Sequence, residues 1–404
     1  MATIRRRTFL KQTTSTIAGL SLAGAPAFAV NTAPKKIRIG IVGGGFGCAF
    51  QWHEHPDCII EAVSDLREDR RQRLVKTYNP KKVYPSLEQL VKDKDIDAVA
   101  VFTGAPDHAR HVAEVFNHGK DAICAVPACM SLEEAQMLAD TRKKTGQTYM
   151  MAETSYYQQH TISARKFFNE GKFGELFYTE SEYHHPGMEP LMFIDGQRKW
   201  RYGYPPMLYP THCTAHLVGV SKERLTQVSC LGWGFDHPYV KNRNNAYKNP
   251  FTSQSAMFKT DKGHGFRVNV FWQGALKGCE RAQWLGTKMS FYAKDPHGLG
   301  AVIVRYSNEK ETDDAGFVRT KPKLENYEQV EWWKTDMLPE PLRHNSGHEG
   351  SHTFLTHEFI DALTHNREPA VNLTEALAYT VPGIIAHKSA LQQGAMLKIP
   401  QFEG

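Results

Sequence analysis

The segment from Ile37 to Asp65 constrains this chain most. It opens with an apolar run, Ile37 to Val42, too short for a buried helix and suited to a parallel strand covered on both faces. Gly43-Gly44-Gly45-Phe46-Gly47 follows, then a stretch expected to be helical, then a second apolar run from Ile59 to Val63 that closes on Asp65. Strand, glycine turn, helix, strand and acid is the order a dinucleotide site requires. Gly43 permits the tight turn, and Gly45 lets the backbone approach a pyrophosphate. Asp65 stands where a carboxylate would meet a ribose 2′-hydroxyl. In the G-x-G-x-x-G frame that starts at Gly43, the third glycine position is Cys48. The competing interpretation is a glycine-rich turn in some other α/β sheet; the strand and acid on either side weigh against it.

Strand-like runs continue through Val83-Tyr84, Ala98 to Thr103, Ala122 to Val126 and Thr148 to Ala152, with helical stretches between them. Ser86 offers an N-cap, and Ser131 with Glu134 a capping box. Six strands alternating with helices predict a doubly wound parallel sheet, whose ligand residues lie at the strand carboxyl ends. That singles out Gly43, Gly45, Phe46, Gly47, Asp65, Arg67, Thr103, Pro106, His108, Val126 and Pro127 for the cofactor, and Glu153 for the substrate side. Beyond Glu153 the chain turns aromatic and Gly/Pro-rich. Runs at Leu176–Tyr183, Thr226–Cys230, Gln254–Lys259, Gly265–Phe271, Lys288–Tyr292 and Val302–Tyr306 predict an α+β region on a large, open, mostly antiparallel sheet. Helices at 353–364 and 373–391 close the chain. The expected division is an export signal over 1–29, a nucleotide-binding domain over 30–152 and a substrate domain over 153–404.

The formal charge of +6 includes Arg5, Arg6, Arg7 and Lys11; without these four it is +2, no footprint for nucleic acid or an anionic membrane. Arg6-Arg7-Thr8-Phe9-Leu10-Lys11, a mildly apolar Ile17–Leu22 and Ala27-Phe28-Ala29 form a twin-arginine signal with a small-residue cleavage site. The apolar part is too short to span a bilayer. The expectation is a periplasmic or secreted protein, free of the membrane once the signal is removed. Seven scattered cysteines contain no C-x-x-C pair, hence neither a disulfide framework nor a zinc site by spacing.

Several segments are similar to the Gfo/Idh/MocA oxidoreductases: the glycine turn, AVSDLREDRR, AVFTGAPDHARH, AICAVPACMSLEEA and FFNEGKFGELFYTESEY. That resemblance implies an N-terminal Rossmann domain, an open-faced second sheet, and a sugar or polyol between them. The family usually carries Glu-Lys-Pro after strand five, its lysine supporting hydride transfer; here Ala125-Val126-Pro127 stands in its place. Valine cannot lower the pKa of a bound hydroxyl as a lysine can. Val126-Pro127-Ala128, MMAETSYY, Tyr183-His184-His185, Tyr209-Pro210-Thr211-His212 and Gly347-His348-Glu349-Gly350 more closely resemble NAD-dependent glycosidases of glycoside hydrolase family 109.

By that resemblance the cofactor is NAD, used and regenerated within one turnover: hydride leaves the sugar C3, the ketone acidifies C2–H, the C1 group is eliminated, water adds and the hydride returns. His212 is expected to handle the C3 proton, Tyr209 and Tyr183 to act as C2 base or enolate donors, and His185 and Glu153 to position the sugar or assist the leaving group. Arg67 keeps NADP open. An isolated Tyr–His pair is more often core than catalytic, and His216, four residues after His212, hints only weakly at a metal. His348 and His352 sit on a Gly-flanked loop that either closes over the site or caps the following helix. Trp200, Trp233, Trp272 and Tyr247 are candidates to stack on a sugar. An exported protein meets no soluble NAD pool, which favours redox-neutral chemistry on a sugar or glycoside. The alternatives are a sugar or polyol oxidoreductase with tightly held NAD(P), and a non-catalytic sugar-binding protein. The open sheet face offers a surface for a second copy of the chain.

Overall fold

In the computed structural model, residues 36–403 are described; the segment read as an export signal lies outside them. The apolar runs form β1 (Ile37–Val42), β2 (Cys58–Ser64), β3 (Lys82–Tyr84), β4 (Ala98–Val101), β5 (Asp121–Cys124) and β6 (Tyr149–Met151), all parallel, in the order β3-β2-β1-β4-β5-β6. The helices between them are α1 (Glu68–Tyr78), α2 (Leu87–Leu90), α3 (His108–Asn117) and α4 (Leu132–Thr145). Ile39, Ile41, Val63, Val99 and Val101 are fully buried, which is why these strands read as unbroken apolar runs. Each such side chain contributes about 1.5–3 kcal/mol of burial. Strand order reverses between β1 and β4, so a crevice opens at their carboxyl ends.

One local expectation fails. No α-helix follows the glycine turn; two 3-10 turns, Phe46–Ala49 and Trp52–Glu54, take its place. Phe50 and Trp52 are buried and stacked 5.8 Å apart, and the Tyr78 hydroxyl lies 2.6 Å from the Gly47 carbonyl and 2.9 Å from that of Phe50. Those anchors claim carbonyls and side chains that a regular helix would place elsewhere. Cys48 is also explained. A Cβ at Gly47 would come within 3.1 Å of the Phe102 ring, so the close approach falls on Gly47, one position early. Cys48 only directs its thiol to the Gly44 carbonyl at 3.4 Å. The capping box is shifted too. Ser131 accepts from the Glu134 N–H, but the Glu134 carboxylate accepts from Met130 at 2.7 Å. Ser86 makes no side-chain cap.

The second half starts with α5 (Gln159–Asn169) and β7 (Leu176–His184), then α6 (Glu189–Met192) and a small ribbon of β8 (Phe193–Ile194) and β9 (Gln197–Arg198). Next come α7 (Thr211–Ser221), β10 (Leu225–Trp233), β11 (Ser253–Thr260), β12 (Gly265–Phe271), β13 (Cys279–Gly286), β14 (Met289–Tyr292), β15 (Ala301–Thr312), β16 (Val318–Tyr327), α8 (Gly347–Thr364), α9 (Leu373–Leu391) and β17 (Leu397–Lys398). Nine strands pair in the order β16-β15-β14-β13-β7-β12-β11-β10-β17. Only the β7–β12 pair is parallel. Helices α7 and α9 cover one face. The other carries exposed Leu231, Trp233 and Met257. Every residue of α7 is buried, so it has no polar face and no amphipathic period by which sequence could reveal it. No helix among the described residues is long and apolar enough to cross a membrane.

Candidate active site

A cleft of about 810 Å³ runs along the carboxyl ends of the parallel strands to the inner face of the second sheet. Its nucleotide end is built by β1 and β4. Gly43 has φ +102°, and a Cβ there would stand 2.2 Å from the Phe102 carbonyl oxygen, so only glycine turns this corner. Gly45 and Phe46 face the cleft; Gly47 packs behind it. Asp65 accepts from the Gly44 N–H at 2.7 Å and the Arg67 N–H at 2.8 Å. A carboxylate has about four lone-pair positions, so acceptor capacity remains for a ribose diol. The Arg67 guanidinium lies against Asp69, at 3.0 and 2.8 Å. It is engaged where a 2′-phosphate would need it. Arg70 and Arg73 also line this end and were missed from sequence, their helix reading only as basic. A dinucleotide fits this donor set: a Cβ-free turn, backbone N–H groups, a carboxylate for the ribose and cations for the pyrophosphate.

Thr103, His108 and Val126 line the middle of the cleft, while Pro106 and Pro127 stand behind its wall. His108 is engaged with main chain. Its Nδ1 lies 2.8 Å from the Pro127 carbonyl and its Nε2 3.2 Å from that of Thr103. It ties the loops after β4 and β5 together instead of offering a hydrogen bond to a ligand.

Tyr183, His185, Tyr209 and His212 converge on the substrate end. β7 delivers Tyr183, and the chain just beyond its end delivers His185; alternation turns both the same way, rings 5.9 Å apart. The turn into α7 delivers Tyr209 and the first turn of α7 delivers His212, rings 5.1 Å apart. The Tyr183 ring lies 4.6 Å from that of His212. Glu153 does not reach the cleft, which corrects its expected contact with sugar. It is fully buried behind His212, and its Oε1 accepts from His212 Nδ1 at 2.8 Å and from the Ser155 N–H at 2.8 Å. Its role is to orient and charge the imidazole. A second carboxylate, Glu280 of β13, lies 3.7 Å from the same nitrogen and accepts from Ser155 Oγ and Gln158. Sequence gave no hint of it. Glu280 faces inward in register with Tyr183, where the inward pattern of β13 is otherwise Ala282 and Trp284.

Burial works against charge on His212, but Glu153 and Glu280 outweigh it and raise its pKa to about 9. Glu153 is lowered: burial disfavours its charge and the His212 cation more than compensates. Burial raises both Tyr183 and Tyr209, so both are phenols at neutral pH. They are equipped as donors, not as the C2 base. Burial lowers His185 and His348, leaving them neutral.

His348 enters the cleft from the start of α8, where His348, Glu349 and Gly350 all have positive φ. His352 Nδ1 donates to the Ala49 carbonyl at 2.8 Å, so its Nε2 accepts from His348 Nδ1, also at 2.8 Å. That chain fixes the His348 tautomer and leaves its Nε2 lone pair for the cleft. Lys199, Trp200 and Arg201 complete the wall, and the two cations carried no sequence signal. Of the other aromatics, Trp272 is buried and edge-on to Tyr183, Tyr247 bonds the Trp200 carbonyl, and Trp233 is exposed near Phe271. His216 pairs with buried His160 at 3.3 Å and Ser181 at 2.7 Å, away from His108 and His185.

The model of the oxidoreductase family with an NAD-binding Rossmann fold matches residues 37–153. The chain is similar to the glycosyl hydrolase family 109 protein of Streptomyces coelicolor, 22% identical over 95% of this chain and 85% of that one. It is also similar to that of Solibacter usitatus, 24% identical over 91% and 88%. Among solved structures, an NAD-binding oxidoreductase from Klebsiella pneumoniae superposes with a TM-score of 0.70 at 14% identity, covering 91% of this chain and 100% of that one. Residues 37–153 of this chain thus match the NAD-binding Rossmann fold of the Gfo/Idh/MocA oxidoreductase family.

Proposed function

We propose that the chain is an exported enzyme that keeps NAD bound and acts on a sugar or glycoside through a transient 3-keto intermediate. The observation that carries this is the His212–Glu153 pair beside two protonated tyrosines and a neutral imidazole, in a cleft whose strand-five corner holds Val126 and no lysine. NAD, when bound, accepts a hydride and later returns it.

The remaining tasks fall to side chains. Hydride loss from C3 requires the C3 hydroxyl to give up its proton, and the neutral form of His212 takes it. The ketone then acidifies C2–H. His348 Nε2 carries a lone pair that can accept that proton, and Tyr183 and Tyr209 donate to the enolate oxygen. The C2 electron pair forms the C1–C2 double bond as the C1 substituent leaves. Water adds across that bond and the C3 ketone is reduced again, so the net change is hydrolysis. Lys199 and Arg201 hold the sugar hydroxyls or an acidic substituent. The arginines around the glycine turn favour retention of an anionic dinucleotide, and Asp65 favours NAD over NADP.

The test is turnover of a panel of glycosides in deuterated water with no added nucleotide. The expected product carries deuterium at C2, and denatured protein releases NAD. Cleavage without C2 exchange sinks the mechanism. Growth of the reduced-nicotinamide absorbance without cleavage points to the oxidoreductase, and protein that releases no nucleotide points to a binding protein.

A further inference from the structure

Glu182 and His184 stand two residues apart on β7, so both turn away from the cleft, toward the uncovered face of the nine-stranded sheet. Cys279 of β13 is the register partner of His184. A carboxylate oxygen, an imidazole nitrogen and a thiol sulfur from these three all lie within 4.8 Å of one another. His184 Nε2 is buried, has no hydrogen-bond partner among the described residues, and lies 3.8 Å from Glu182 Oε2. A buried, unpaired ring nitrogen is costly unless something meets it. The His184 ring is held flat against Phe271, centroids 4.9 Å apart, which fixes the direction of that nitrogen. Cys279 is a free thiol.

Two neighbours limit what can enter. Arg281 donates to Glu182 at 3.2 Å, and Asn269 approaches the other carboxylate oxygen at 3.4 Å. Arg281 also faces Asp295 at 3.7 Å, so its charge has a second counter-ion and Glu182 keeps lone pairs free. Mixed sulfur, nitrogen and oxygen donors suit a borderline-soft cation; thiolate and imidazole donors do not suit calcium or magnesium, which take oxygen ligands. Side-chain rotation on the order of 1 Å brings the three donors to zinc bonding distances of ~2.0–2.3 Å.

We infer that Glu182, His184 and Cys279 form a binding site for a zinc-like divalent cation on the sheet face opposite the cleft, with water in the fourth position. On binding, the Cys279 thiol loses its proton to solvent, and the thiolate, the neutral imidazole and the carboxylate each donate a pair to the metal. Thiolate and carboxylate together balance the 2+ charge. The site does not depend on the proposed reaction.

The test uses the full chain, purified in chelator and then freed of it. Cobalt(II) is expected to bind with one equivalent and a thiolate-to-cobalt charge-transfer band, which zinc displaces. Cys279→Ser abolishes the band and His184→Ala weakens zinc at least ten-fold. On wild-type protein, one equivalent of zinc protects Cys279 from iodoacetamide, read by peptide mass spectrometry, so the outcome does not hang on a variant folding. The inference is overturned if saturating cobalt gives no such band, if the band survives Cys279→Ser, or if zinc leaves Cys279 alkylation unchanged.

Discussion

Replacing Glu153 with glutamine keeps the shape of a fully buried side chain and removes its charge. In the wild-type site, moving His212 from its ordinary 6.5 to about 9 corresponds to ~3 kcal/mol of preference for the imidazolium. Burial alone pulls the other way, and in Glu153→Gln only Glu280, at 3.7 Å, still opposes it. His212 should therefore titrate near or below 6.5 in the variant. The direction of linkage is definite. A histidine raised in the folded state contributes stability in full below 6.5, and that contribution is lost as pH rises through about 9. Wild-type stability should fall by up to ~3 kcal/mol across that window, and the variant should show little of the fall. Activity follows the opposite sense, because the C3 step needs neutral His212: the wild-type rate should climb toward pH 9, and the variant's limb should move about two pH units to the acid side, at a lower plateau. Imidazole carbon NMR on histidine-labelled protein, with denaturant titrations across the same pH series, reads both effects. If His212 in Glu153→Gln titrates within about half a unit of wild type, the electrostatic account of the pair is wrong.

Other consequences can be checked separately. Gly43→Ala forces a Cβ against the Phe102 carbonyl at φ +102°; it should cost at least ~2 kcal/mol in thermal unfolding and leave the purified protein without nucleotide. Tyr183→Phe removes one protonated donor from the cleft and should lower kcat about 10²–10³-fold, with the melting temperature and nucleotide content kept. His352→Phe preserves the stack on Phe50 but deletes the acceptor that sets the His348 tautomer. C2–H exchange in deuterated water should then slow about ten- to hundred-fold with KM little changed. A normal exchange rate would remove His348 from the C2 step.

The parallel sheet was legible because its strands are buried on both faces and read as apolar runs between glycine turns. Helix 373–391 matched end to end. The strands β13 and β16 were missed because charged residues interrupt their alternation, and α7 because a helix buried all round has no period. The helix expected after the glycine turn gave way to short turns pinned by Phe50, Trp52 and Tyr78.

Within the site, sequence by itself determined the residue types and their local phase. Gly43 had to turn, Asp65 had to close the second strand, and Tyr183 with His185 had to point together, because strand alternation is short-range geometry. Only the tertiary structure decided which groups share a charge. It put Glu153 behind His212 instead of in the cleft, brought Glu280 to the same nitrogen across 68 residues of chain, and set the protonation of each group by burial and neighbouring charge. It likewise gathered Glu182, His184 and Cys279, whose spacing matches no metal motif, through the register of two adjacent strands. Proton affinity and metal affinity depend on distance and desolvation in three dimensions, and neither is written in the order of residues along a chain.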